Sequence, residues 1–129
     1  MKKLLFMVAL VAGTASLASA QQKPEKVITI KTPTVQCEEC QHRIESYLAR
    51  EEGVDKYVVN YRNKTAKVWY FTDRTNPEEI KTAIANAGYD ADDVAANPES
   101  YKRLPITCKK FEDGGGHPKP KTPSTQPAQ

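Results

Sequence analysis

Two of the chain's three cysteines stand three residues apart in the run Cys37-Glu38-Glu39-Cys40. At a helix start that spacing brings both sulfurs to one side within a single turn. The unpaired backbone N–H groups and the helix dipole favour anionic sulfur there. Glu38 and Glu39 work against a second anion, but they also draw a cation in. Their ordinary reading is as first-turn acids that stabilise a helix. Two adjacent thiolates suit soft ions, Cu(I), Hg(II) or Zn(II), and not Mg(II) or Ca(II). Zn(II) prefers four ligands and is less well served by two. The same C-x-x-C pattern occurs in thiol–disulfide oxidoreductases and half-zinc sites. Against the redox reading, both intervening residues are acidic and no tryptophan precedes Cys37. Cys108 leaves the cysteine count odd. His42 lies about 200° around a helix from Cys40, so it is expected to be solvated rather than a ligand.

The elements that must position these residues read in order. Lys26 to Lys31 is β-branched and alternating, with Ile28 and Ile30 on one face, and reads as a strand. A loop through Thr32, Pro33 and Thr34 leads to a helix in which Ile44, Tyr47, Leu48 and Glu51 fall at helical spacing, ending at Gly53. Val54 to Tyr61 and Thr65 to Phe71 alternate around a tight Arg62-Asn63-Lys64 turn, which makes a hairpin. Asn76-Pro77-Glu78-Glu79 is a helix start, and Ile80, Ala83, Ile84 and Ala87 form its apolar stripe before Gly88 stops it. Ala91 to Ala95 is the candidate fourth strand. The order β-α-β-β-α-β predicts an α+β, ferredoxin-like sandwich: a four-stranded antiparallel sheet, order 4-1-3-2, with both helices on one face.

Residues 26–96 resemble a heavy-metal-associated domain. That family includes copper chaperones, the N-terminal domains of copper-exporting ATPases and a periplasmic mercury-binding protein. Its G-M-T/H-C-x-x-C loop corresponds to Thr34-Val35-Gln36-Cys37-Glu38-Glu39-Cys40. The two cysteines match, whereas Val35 and Gln36 depart from the family's methionine and threonine or histidine. Gly53-Val54 and Ala87-Gly88-Tyr89 match its motifs before strands two and four. The resemblance implies metal held by Cys37 and Cys40, with Gln36 and Tyr89 beside the ligands. Tyr89 would shield the ion from water, or else serve only as a core-edge aromatic.

Residues 97–111 extend beyond that domain. Asn97-Pro98-Glu99 starts a short helix with Tyr101, Leu104 and Ile106 on an apolar side. Val58, Trp69 and Phe71 point away from the two helices, so the extension is expected to fold over that face or edge. Strand four is expected to end opposite the metal loop. From Ala96, seven helical residues rise about 10 Å and five extended ones add about 17 Å, enough to return to it. Cys108 could then supply a third sulfur in a trigonal site; otherwise it is a free thiol or an intermolecular disulfide. Lys109 and Lys110 would favour its thiolate if close.

The ends carry a different signal. Residues 1–20 combine Lys2 and Lys3, an apolar run from Leu4 to Ala12 and Ala18-Ser19-Ala20, the pattern of a signal peptide cut before Gln21. As a helix that run spans about 14 Å, roughly half a bilayer core, so no stable membrane anchor is expected after cleavage. The formal charge of +3 falls to +1 when the two leader lysines go, which argues against nucleic acid as a partner. Residues 112–129, rich in proline and glycine and holding His117, read as a disordered tail. The expectation is an exported carrier, periplasmic or extracellular, and not an enzyme. It would hold Cu(I) or Hg(II) and exchange it with a partner protein through exposed cysteines. The alternatives are an exported thiol–disulfide oxidoreductase, or a partner-binding module in which Cys37 and Cys40 form a structural disulfide.

Overall fold

The computed structural model describes residues 25–116; the expected leader, His117 and the rest of the tail lie outside them. Strand β1 (Glu25–Lys31) is followed by helix α1 (Glu38–Leu48), strands β2 (Val54–Asn60) and β3 (Thr65–Phe71), helix α2 (Pro77–Ala87) and a short helix α3 (Pro98–Lys102). The sheet is antiparallel with β3 in the centre, order β1-β3-β2. Alternation fixes which face is apolar: Ile30, Val59, Ala66, Val68 and Tyr70 are buried and meet Cys40, Ile44 and Leu48 of α1 and Ile80, Ile84 and Ala87 of α2 in one core. Both helices therefore cover the same face.

The local signals for α2 operate as expected. The Asn76 side chain accepts from the N–H groups of Glu78 and Glu79, Pro77 takes the first helical position, and Gly88 closes the helix at φ 104°. Helix α1 ends earlier than the sequence places it, at Leu48, and Gly53 serves instead in the turn into β2. At φ 89° Gly53 leaves no room for a side chain: a Cβ would lie 2.7 Å from Cβ of Arg74.

The fourth strand does not form. Residues 91–94 make a tight turn closed by an isolated Ala91–Val94 bridge. The turn docks on the end of β1, where the Asp92 N–H donates to the Lys31 carbonyl (2.9 Å) and the Asp92 carboxylate accepts from the Lys31 N–H (2.7 Å). Aspartates explain the difference: their short carboxylates bond nearby backbone groups and compete with a ladder, and Asp92 itself stands at φ 51°. A consequence follows for the extension. It departs from the loop end of the molecule, with the Asn97 N–H on the Ala85 carbonyl (2.9 Å), and not from the far edge.

The extension does not cover the open face of the sheet. Val27 and Val58 remain 51% and 50% exposed there, and the ammonium groups of Lys56 and Lys67 sit 5.1 and 5.0 Å from the Trp69 ring. Leu104 packs instead against Gly88, and two single-turn 3-10 helices follow at Ile106–Cys108 and Phe111–Asp113. Ordered contacts run past residue 111 into the stretch expected to be tail. The Gly115 N–H bonds the Lys110 carbonyl and the Gly116 N–H the Ile106 carbonyl, both at 3.0 Å.

Candidate metal centre

Cys37 is the residue before the first turn of α1, in an extended conformation (φ −151°, ψ 173°), and its sulfur accepts the Cys40 N–H at 3.5 Å. That geometry is a helix cap with sulfur in place of oxygen. Cys40 lies one turn on, fully buried against the core. Val35 is also fully buried, filling the apolar space beneath the loop, and Lys64 Nζ holds its carbonyl at 2.5 Å.

Cys108 arrives from the extension. It is bonded to Cys40 in a disulfide spanning 68 residues of sequence, with Cα atoms 5.9 Å apart. Cys37 is a free, half-buried thiol, its sulfur 3.0 Å from that of Cys40 and 3.9 Å from that of Cys108. All three sulfurs lie within 4.8 Å of one another.

Five contacts hold the third cysteine in place. Gln36 Nε2 donates to the Lys109 carbonyl at 2.6 Å, directly beside Cys108. Thr107 Oγ1 donates to Glu39 Oε2 at 3.5 Å, so one of the two first-turn acids reaches the extension. The Tyr101 hydroxyl accepts the Lys110 N–H (2.9 Å) and donates to Asp113 (2.5 Å). Lys110 Nζ approaches Asp90 Oδ2 at 3.8 Å. Asp90 is a neighbour of the site that the sequence did not point to. Its N–H donates to Thr34 Oγ1 (3.0 Å) and its carboxylate accepts the Ala96 N–H (2.8 Å), linking loop, turn and extension.

Tyr89 is fully buried and its hydroxyl has no hydrogen-bond partner. Burial is the main cause that pushes its ionisation well above the ordinary 10; Arg43 opposes this, and the charges of Cys37 and Glu39 add to it. Tyr89 belongs to the same buried cluster as Cys40 and Cys108, with Cys37 packed against it. His42 faces elsewhere: its Nδ1 lies 2.7 Å from Glu45 Oε2 and its Nε2 3.6 Å from Glu38 Oε1. Among the described residues, the cluster able to hold a metal ion comprises Cys37, Cys40 and Cys108, without His42.

The heavy-metal-associated domain model matches residues 29–90. The mercuric transport protein periplasmic component of Acinetobacter calcoaceticus is 31% identical over 103 residues, 80% of this chain and all of its own length. A copper-exporting P-type ATPase of Staphylococcus aureus (strain Newman) is 34% identical over 67 residues, 52% of this chain and 8% of the ATPase. Among solved structures, oxidised MerP from Ralstonia metallidurans CH34 superposes with a TM-score of 0.52 at 25% identity, covering 54% of this chain and 96% of MerP. The CopZ metallochaperone gives 0.50 at 27% identity, covering 51% of this chain and 98% of its own. The chain belongs to the heavy-metal-associated domain family. The relatives matched over nearly their whole length are a transport protein and a metallochaperone, not enzymes; the ATPase is matched over a small segment alone. Among the described residues no helix is long and apolar enough to cross a membrane.

Proposed function

We propose that the reduced protein carries one soft metal ion, Cu(I) or Hg(II), on the thiolates of Cys37, Cys40 and Cys108, and passes it by ligand exchange to cysteines of a partner protein. The observation that carries this reading is convergence: a sulfur from the extension lies within 4.8 Å of both sulfurs of the C-x-x-C pair. Three soft anions in one place select a soft cation. Three ligands also leave a coordination position through which an incoming thiolate can attack, so transfer needs no catalytic base. Buried Tyr89 excludes water on one side, and Gln36 fixes the backbone that carries Cys108. The leader pattern, together with a relative named as a periplasmic component, supports export, with a periplasmic transporter or metallochaperone as the partner class.

Titration of the reduced mature protein with Cu(I), Hg(II) and Zn(II) against a competing chelator tests the proposal. One equivalent of Cu(I) or Hg(II) should bind tightly, Zn(II) more weakly. Cys37→Ser should abolish tight binding, and Cys108→Ser should weaken it. Zn(II) bound more tightly than both soft ions would contradict the proposal.

A further inference from the structure

Cys40 and Cys108 are 0% and 1% exposed, so their disulfide is closed to an external thiol, while free Cys37 is half-buried. A site locked in this form in an oxidising compartment could not recover its thiols by direct attack from outside. The third sulfur provides a way out. Cys37 Sγ stands 3.0 Å from Cys40 Sγ and 3.9 Å from Cys108 Sγ, which makes Cys40 the nearer target, and a turn of the Cys37 side chain is needed to bring its sulfur into line with the S–S bond.

We propose that Cys37 is the internal exchange thiol that moves the oxidation from the buried Cys40–Cys108 pair to the reachable Cys37–Cys40 pair, so that an exported dithiol protein can reduce the site. In the first step Cys37, having given its proton to water, attacks Cys40. The Cys37–Cys40 bond forms, the Cys40–Cys108 bond breaks, and the electron pair leaves on Cys108, which takes a proton. There is one disulfide and one thiol on each side, so nothing is oxidised or reduced overall. In the second step a thiolate of the reductant attacks Cys37, forming a mixed disulfide and releasing Cys40. The reductant's second thiol then displaces Cys37. The reductant ends as a disulfide and the protein holds three thiols. Exchange also cuts the covalent tie between extension and core, leaving the Gln36–Lys109 bond and the Leu104–Gly88 contact to keep Cys108 nearby.

Dithiothreitol on the oxidised, metal-free mature protein tests this, with timed alkylation and mass analysis as the readout. Cys37→Ser should be reduced about tenfold or more slowly than the unaltered protein while folded, and at the same rate in denaturant. Equal rates in the folded state would overturn the proposal. A second measurement covers a variant that fails to fold. Brief alkylation of the unaltered oxidised protein should label Cys37 and leave Cys40 linked to Cys108, and the labelled protein should then resist reduction. Label found on Cys108 alone, or unchanged reduction after labelling, would also overturn it. No metal is present, so failure here leaves the metal reading standing.

Discussion

Helices α1 and α2 are both eleven residues long, and each has two glutamates in its first turn, Glu38 and Glu39 or Glu78 and Glu79. They differ in the residue before that turn and in the residue that ends them. Asn76 accepts two N–H groups at 3.0 and 3.1 Å, whereas Cys37 accepts one at 3.5 Å. Gly88 closes α2 in the left-handed conformation, whereas α1 runs out at Ala49 in right-handed geometry. Helix α2 uses both ends for stability. Helix α1 gives up an oxygen cap so that a sulfur can stand beside two others. A helix start can satisfy its own backbone or present a ligand, and this molecule holds one example of each.

The largest effect that would break this comparison is in Cys37→Ser. Serine caps helices well, so the reduced, metal-free variant should unfold at equal or higher denaturant, a gain of up to about 1 kcal/mol. Its affinity for Cu(I) or Hg(II) should fall by about two orders of magnitude or more, because a hydroxyl is a hard ligand. A stability loss above about 1 kcal/mol would mean that the sulfur supports the fold in some other way. Next is Gly88→Ala. The new Cβ would sit at φ 104° and 3.0 Å from Leu104, so denaturation should show a loss of about 1–2 kcal/mol. Since Leu104 roots the extension, metal affinity should weaken too. Asn76→Ala should cost about 1 kcal/mol and leave metal affinity unchanged, the reverse of the Cys37 result. A changed affinity would show that the two helix starts are not independent.

His42→Gln should give the smallest effect and one that depends on pH. The hydrogen bond to Glu45 raises the histidine above its ordinary 6.5; desolvation opposes this, and the Glu45 and Glu38 charges add to it. The pairing therefore contributes in full below 6.5 and fades as pH rises through the raised value. Thermal unfolding of the variant should fall below that of the unaltered protein near about pH 5.5 and match it near about pH 8.5. An equal difference at both would remove the charge from the explanation.

Much of this was legible in the residues. Strand β3 has the bounds that alternation gave it, and the start and stop of α2 follow from Asn76, Pro77 and Gly88, because those signals are local. Ala91 to Ala95, the candidate fourth strand, forms a turn instead. The carboxylates of Asp90 and Asp92 each satisfy a backbone N–H, at Ala96 and Lys31, that a ladder would have needed free. Of the candidate site, the C-x-x-C pair was visible from spacing. Sequence showed that Cys108 could reach the pair but not that it does, since the path depends on the turn at Asp92 and the Gln36–Lys109 bond, between residues 73 apart in sequence. Family resemblance puts Gln36 beside the ligands, and in the structure its side chain bonds the extension at the Lys109 carbonyl. The fate of Val27, Val58 and Trp69 was also beyond reach, because alternation says which face a residue takes and not what covers it.

The central claim is that one ion is shared by three sulfurs drawn from two parts of the chain. X-ray absorption at the metal edge of the protein loaded with one equivalent of Hg(II) or Cu(I) counts those sulfurs directly. Three sulfur neighbours, falling to two in Cys108→Ser, are the predicted result; two sulfurs in the unaltered protein, with no change in Cys108→Ser, would contradict it.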